Sequence, residues 1–252
     1  MNLSTWFLFL LPAVLPGASG SSGDPGQASD VSYVCPPCGA ECHFTLYPKA
    51  GNCGGCGMGL VPLSSVPQVG VLFHPSADLV SSTLVLSVFA SSNVVRVFGV
   101  ADTAEPLRFA DALEVRPQFA FGDAPALDVL VLPEGFGAWD DPMTLEWVKG
   151  AVEKARFVLA TGGGSILLAK AGYLKGEHVP GRDFLVKNGK QFAEELVFEP
   201  EPRLKRSGKF LLARDPLGAL DAALAIVQEL STKEKAQRTA QQLGYDWKPE
   251  GK

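Results

Sequence analysis

The strongest constraint on the fold is an alternation of short, almost wholly apolar stretches with longer stretches that are apolar on one side only. LDVLVL (127–132) is such an apolar stretch, typical of a strand buried on both faces of a parallel sheet. Strands are predicted at residues 69–73, 94–101, 127–132, 157–161 and 209–214, and helices at 79–90, 140–155, 165–174, 219–230 and 232–244. Residues 114–121 are predicted as part of an exposed hairpin. The pattern predicts a mostly parallel, doubly wound α/β sheet.

The helix at 140–155 has the clearest start signal. Asp140 or Asp141 can cap it, and Pro142 suits its first turn. Its apolar residues recur at helical spacing and predict one buried face. These residues are Leu145, Val148, Val152 and Ala155.

Charge argues against a nucleic-acid partner. The chain carries a net charge of −5 and no long basic run, so there is no electrostatic footprint for phosphate backbones. Charged residues make up only 19% of the 252 residues, which excludes a largely disordered chain.

The first residues are typical of an export signal. An apolar stretch from Trp6 to Leu15 is followed by small residues, which predicts a signal peptide at 1–20 and a periplasmic or secreted protein. No Lys or Arg precedes Lys49, so a membrane-tethered start is the alternative. Residues 21–32 are predicted to be a linker.

All five cysteines fall between residues 35 and 56. Cys35 and Cys38 form one C-x2-C pair, and Cys53 and Cys56 form another. Two such turns suit a tetrahedral metal, so these four cysteines are the predicted ligands of zinc or copper. Disulfides are the alternative for an exported protein. Cys42 and His43 remain as spare ligands, and their alternatives are to replace one of the thiolates or to pack at the surface.

Two further side chains border this site. His43 follows Cys42, and Met58 follows the second pair. A methionine would suit a soft ion such as Cu(I), although we expect Met58 to be packed. Residues 33–62 resemble the short heavy-metal-binding domain of copper-efflux proteins. The resemblance lies in Tyr33, Cys35, Pro36 and the ending PKAGNCGGCGMGLVP. Pro37 and Cys38 replace a Met–His pair of that pattern, which implies a more zinc-ribbon-like site.

Residues 67–246 resemble the ThiJ/PfpI family, within the class I glutamine-amidotransferase-like, flavodoxin-like fold. The resemblance lies in LDVLVLPEGFGAW, FVLATGGGSILLAKAGYLKG and ARDPLGALDAALAIVQEL. It implies that Gly162 stands where the family has its nucleophilic cysteine. It also implies that Ser81 stands at a family acidic position and that Arg182 lies nearest a family histidine, with His178 close by. Three departures in one site argue against the usual chemistry.

Other groups around this turn are candidates for chemistry. Glu134 could serve as a base or ligand if it faced the pocket, but we expect it to point to solvent. Ser165 and Thr161 carry hydroxyls without an evident base, and Ser165 is expected to cap the following helix. His74 is a candidate pocket residue or an ordinary residue at a strand end.

The glycines themselves are the remaining candidates. Gly162, Gly163 and Gly164, together with Gly135, could hold a small anionic ligand through backbone N–H groups. Close packing of strand and helix is the alternative reason for these glycines. The glycine turn lacks both the dinucleotide and the P-loop pattern.

We therefore expect an exported metal-binding protein whose ThiJ/PfpI-like domain is non-catalytic, with a homodimer as the family's usual assembly. The alternative is a hydrolase, hydratase or amidotransferase-like enzyme that uses Glu134 or Ser165.

Overall fold

In a computed structural model, which describes residues 32–38, 41–109 and 112–249, the predicted alternation of strands and helices is confirmed. The strands are β1 (Tyr33–Val34), β2 (Val61–Pro62), β3 (Gln68–Leu72), β4 (Arg96–Ala101), β5 (Leu107–Phe109), β6 (Leu113–Val115), β7 (Phe119–Ala120), β8 (Val129–Leu132), β9 (Phe157–Thr161), β10 (His178–Pro180), β11 (Val197–Glu199), β12 (Leu204–Ser207) and β13 (Phe210–Ala213). The helices are α1 (Leu79–Ser92), α2 (Pro142–Lys154), α3 (Gly164–Lys170), α4 (Asp183–Asn188), α5 (Pro216–Leu230) and α6 (Lys233–Gln242).

Seven of the described strands form the central sheet, in the order β12-β13-β9-β8-β3-β4-β7. Every neighbouring pair is parallel except β12 and β13, which are antiparallel. The carboxyl ends of β3, β8 and β9 therefore lie side by side. In sheets of this kind, that edge is where sites form.

Helices cover both faces of the sheet. Because strand side chains alternate, Val129 and Val131 of β8 join one apolar cluster with α1 and α5, while Leu130 and Leu132 join another with α2 and α3. This double layer explains why the strands are apolar at almost every position.

The predicted start of α2 is confirmed in detail. Asp141 is the N-cap, and its carboxylate accepts a hydrogen bond from the backbone N–H of Thr144 at 2.8 Å. Val148, Val152 and Ala155 are buried, as the helical spacing predicts, while Leu145 is partly buried.

Two of the predicted elements differ in the structure, and β10, β11, β12 and α4 were not predicted. In the stretch predicted as an exposed hairpin piece, β6 does pair antiparallel with β5, but β7 joins the central sheet beside β4. The Gln118 side chain explains this, because its Oε1 accepts the N–H of Gly99 at 2.7 Å and ties the segment to β4. Helix α3 ends at Lys170, earlier than predicted, and Gly172 with a φ of 97° follows.

The cysteine-rich segment packs on the α/β domain within one compact unit. β1 and β2 pair antiparallel and close the segment, with Tyr33 opposite Pro62. Phe44 packs against the domain core, and its ring centroid lies 5.4 Å from the guanidinium carbon of Arg96, which is buried. The predicted signal peptide (1–20) and all but the last residue of the predicted linker (21–32) lie outside the described residues.

None of the helices in the described part of the chain combines the length and apolar character needed to cross a bilayer.

Candidate functional sites: a cysteine cluster and a glycine turn

The cysteine cluster is assembled by the short elements of the first segment. Cys35 follows β1, Cys42 lies on a 3-10 helix (Glu41–Phe44), and Cys56 belongs to the second C-x2-C turn. Backbone hydrogen bonds between Tyr33 and Tyr47, both 2.8 Å, hold the two halves of the segment together. The sulfurs of Cys35, Cys38, Cys42 and Cys56 all lie within 4.8 Å of one another.

Three of the distances between these sulfurs match the edges of a tetrahedral thiolate site. The Sγ–Sγ distances are 3.9 Å for Cys35–Cys38, 3.8 Å for Cys35–Cys42 and 3.7 Å for Cys38–Cys42. A tetrahedron with zinc–sulfur bonds of about 2.3 Å has sulfur edges of about 3.8 Å. Cys35 and Cys56 are closer, at 3.2 Å, but none of the five described cysteines forms a disulfide. The arrangement could hold one metal ion.

The cluster differs from the predicted ligand set in one member. Cys42, expected to be spare, is part of it, while Cys53 lies beside it. Cys53 is 2% exposed, and its Sγ is 3.6 Å from the Tyr47 hydroxyl. A signal for Cys42 was present in the sequence, since it follows Cys38 by four residues. The side chain of His43 lies outside the described part, and Met58, expected to be packed, is exposed.

The cysteines also differ in their electrostatics. Backbone N–H groups of Cys56 and Gly55 lower the pKa of the Cys53 thiol to about 6. Burial raises the pKa of Cys42 to about 12, and burial likewise raises that of Cys35. A bound cation would reverse this second effect, because a metal deprotonates the thiol that it ligates.

The second candidate site is the glycine turn between β9 and α3. Gly162 has a φ of 49°, a left-handed conformation that side chains rarely adopt. Its N–H is bonded to the carbonyl of Ala213 at 2.9 Å. A Cβ on Gly163 would lie 2.5 Å from the carbonyl oxygen of Gly135, and one on Gly164 would meet the carbonyl oxygen of Leu132 still more closely. Close backbone packing therefore requires glycine at positions 163 and 164, while the left-handed φ favours glycine at position 162.

Glu134 occupies the space in front of Gly162. A Cβ on Gly162 would lie 2.9 Å from the carboxyl carbon of Glu134 and 3.0 Å from its Oε1. Glu134 is 4% exposed, so the expectation that it points to solvent is wrong. The reason is tertiary: the loop after β8 turns inward, with the Glu134 carbonyl bonded to the N–H of Asp78 at 2.6 Å and Gly135 bridged to Ala77.

Arg182 is the ionic partner of this buried carboxylate. Its Nη2 lies 2.6 Å from Oε2 of Glu134, as an ion pair rather than an aligned hydrogen bond, and its own side chain is 54% exposed. Burial raises the pKa of the Glu134 carboxyl, and Arg182 partly offsets that effect. The sequence placed Arg182 near this site but did not pair it with Glu134.

The hydroxyls of Thr161 and Ser165 flank the turn and are fully buried. Neither has a hydrogen-bond partner among the described residues, so neither is joined to a base. The N-cap of α3 is Gly163, without a side-chain cap, and the predicted capping role of Ser165 is therefore wrong. These hydroxyls lack the activated geometry of a nucleophile.

The other predicted pocket residues are spread around this edge. Ser81 is buried and bonds the Asp78 carbonyl at 3.2 Å. His178 is exposed, with Nδ1 2.7 Å from Glu199. His74 packs against Gly135 and lines a pocket of about 280 Å³ with Phe136. Burial lowers the pKa of His74 to about 4, so it is neutral at pH 7.

Comparison with known proteins gives one consistent result. The sequence model of the DJ-1/PfpI family matches residues 68–229. An isonitrile hydratase from Pseudomonas putida is 29% identical over 185 residues, which are 71% of this chain and 78% of that protein.

Solved structures share the fold. A ThiJ/PfpI family protein from Pseudomonas syringae has a TM-score of 0.63 at 23% identity, covering 74% of this chain and 78% of that one. Drosophila melanogaster DJ-1beta has a TM-score of 0.62 at 19% identity, covering 72% of this chain and 100% of that one.

Proposed function

This chain belongs to the DJ-1/PfpI family, and on that premise we propose that it binds a metal ion through its cysteine cluster while its family domain performs no nucleophilic catalysis. The observation that carries the metal proposal is the group of four sulfurs within 4.8 Å of one another. Thiolates at this spacing favour a soft or borderline ion, with zinc first and copper second.

Two features support the non-catalytic half of the proposal. Gly162 has no side chain to attack a substrate, and the Glu134 carboxylate fills the space that such a side chain would need. The same carboxylate would repel an anion near Gly163 or Gly164. Anion binding at the turn therefore requires Glu134 to be protonated or moved, and we propose it only in that form.

The metal proposal is tested by elemental analysis of the full chain purified without chelator. We expect about one ion per chain, lost in a Cys35→Ser/Cys38→Ser variant because two of the clustered thiols are gone. Met58→Leu is the matched control, since it removes a nearby sulfur outside the cluster. A metal-free wild-type protein with all thiols reduced would refute the proposal.

Export and assembly complete the proposal. The N-terminal residues support secretion across a membrane, and the mature protein should then begin near residue 21 when its N-terminus is sequenced. An uncleaved start would contradict this. We also propose a homodimer, because relatives of DJ-1 are often dimeric; light scattering of the purified chain tests this against a monomer.

A second function is favoured by one observation, the buried carboxylate of Glu134 at the family's reactive position. In this alternative, Glu134 accepts a proton from water as the oxygen attacks an unsaturated carbon, and then returns the proton to the product. The similarity to isonitrile hydratase makes hydration the reaction to assay. Turnover should vanish in Glu134→Gln and survive in Glu229→Gln, a carboxylate paired with Arg206 elsewhere on the domain.

A further inference from the structure

The cysteine cluster and the neighbouring Cys53 together provide five thiols, one more than a tetrahedral ion can use. Cys35, Cys38 and Cys56 are common to the set expected from sequence and to the set that the structure brings together. The two sets differ only in the fourth member, which is Cys42 or Cys53. Structural zinc sites are almost always four-coordinate. A bound ion must therefore leave one of these two thiols out.

Cys42 satisfies the distance requirement of a ligand. Its sulfur is 3.7 Å from that of Cys38 and 3.8 Å from that of Cys35, which are the edges of a thiolate tetrahedron. It lies on the short 3-10 helix that leads to Phe44, whose ring packs on the domain core. Tertiary packing thus holds Cys42 at the site.

Cys53 has a hydrogen-bonding neighbour of the kind that surrounds metal ligands. The residue is 2% exposed, and its sulfur lies 3.6 Å from the Tyr47 hydroxyl, a hydrogen-bond distance for sulfur. Bonds of this kind orient ligands in metal sites. It lies outside the group of four close sulfurs, but it borders Gly55, as the sulfur of Cys42 does.

The thiols of Cys42 and Cys53 both border Gly55. A Cβ placed on Gly55 would lie 3.8 Å from the sulfur of Cys42 and 3.9 Å from the sulfur of Cys53. The same Cβ would lie 3.0 Å from the Cβ of Cys42, so glycine at position 55 leaves room for Cys42. Gly54, its neighbour, has no such contact within 4 Å.

From this geometry we propose that Cys42 and Cys53 are alternative fourth ligands of a single thiolate-bound ion, which rests on the proposed metal-binding function. The ion is held by Cys35, Cys38 and Cys56 in both states. One thiol can then leave the ion, for example when an external thiolate enters, while the other completes the tetrahedron. Such a site is suited to taking up and handing over an ion.

The test titrates the full-length chain with Co²⁺, whose thiolate charge-transfer absorption reports the number of bound sulfurs. Cys42→Ser and Cys53→Ser should each retain one ion with the four-thiolate spectrum of the wild type. The double variant should lose one thiolate and bind roughly tenfold or more weakly. If either single variant already behaves like the double variant, its cysteine is obligatory and the proposal is overturned.

A glycine pair adds a second measurement, in which two alanine variants are compared within the same serine background. In the Cys53→Ser background, Gly55→Ala should weaken Co²⁺ binding, because its methyl group crowds Cys42, while Gly54→Ala should not. In the Cys42→Ser background, neither alanine should matter. Equal effects of the two alanines in both backgrounds would overturn the proposal. A wild-type chain that binds no Co²⁺ would overturn the proposed metal function as well, whereas binding with unequal roles of Cys42 and Cys53 overturns only this inference.

Discussion

Replacing Gly162 by alanine should destabilise the protein, and removing the Glu134 side chain should rescue part of the loss. Two effects add at Gly162. Its φ of 49° is left-handed, and the new Cβ would lie 2.9 Å from the carboxyl carbon of Glu134. Non-bonded carbon atoms prefer about 3.5–4.0 Å.

The expected size follows from these two terms. Left-handed backbone costs a non-glycine residue about 1–2 kcal/mol. Overpacking against a buried side chain costs about 1–3 kcal/mol. Gly162→Ala should therefore lower the free energy of unfolding by about 2–5 kcal/mol. Only the steric term depends on Glu134, so Gly162→Ala/Glu134→Ala should be more stable than the sum of its single variants by about 1–3 kcal/mol.

The assay is urea unfolding at constant pH with identical metal content, followed by tryptophan fluorescence and checked for equal m-values. Gly163→Ala is the matched control, since its new Cβ would lie 2.5 Å from the carbonyl oxygen of Gly135 rather than near Glu134. It should be destabilised without rescue by Glu134→Ala. A coupling energy below about 0.5 kcal/mol at Gly162, or equal rescue at Gly163, would refute the view that Glu134 fills the vacant space.

Three further predictions follow from the same geometry. A cysteine at position 162 should react with iodoacetamide rapidly in Gly162→Cys/Glu134→Gly and slowly in Gly162→Cys alone, because Glu134 blocks it; equal rates would contradict this. The low pKa of His74, about 4, means that the unfolded state binds more protons between pH 6.5 and 4. The free energy of unfolding of the wild type should therefore decrease as the pH is lowered from 6.5 to 4, by roughly 2 kcal/mol more than that of His74→Asn. Parallel pH profiles of the two proteins in urea unfolding would show that His74 is not the cause. Asp141→Ala should cost about 1 kcal/mol at pH 7 through loss of the helix cap on Thr144. Since the folded pKa of Asp141 is lowered, that deficit should shrink as the pH falls below the ordinary value of 3.8, which urea unfolding at pH 3 would check.

The repeating pattern of the chain predicted most of the fold. Strands such as β8 are apolar at every position because helices cover both faces, and this burial is visible in the sequence alone. Asp141 was predictable as a cap because a cap and its helix are adjacent in sequence. The edge strand β7 was not, because it is held by Gln118 to a glycine 19 residues away.

The same distinction applies to the two candidate sites. The sequence alone determined that all five cysteines lie in the first segment and that position 162 holds a glycine rather than a cysteine. Which side chains complete each site depended on contacts between distant loops. Cys42 is held at the cluster by the packing of the nearby Phe44 on the domain core. Glu134 is held at the turn by the bridge between its neighbour Gly135 and Ala77. Composition and periodicity record local preferences, whereas the direction of a loop side chain is set by the surfaces that close over it.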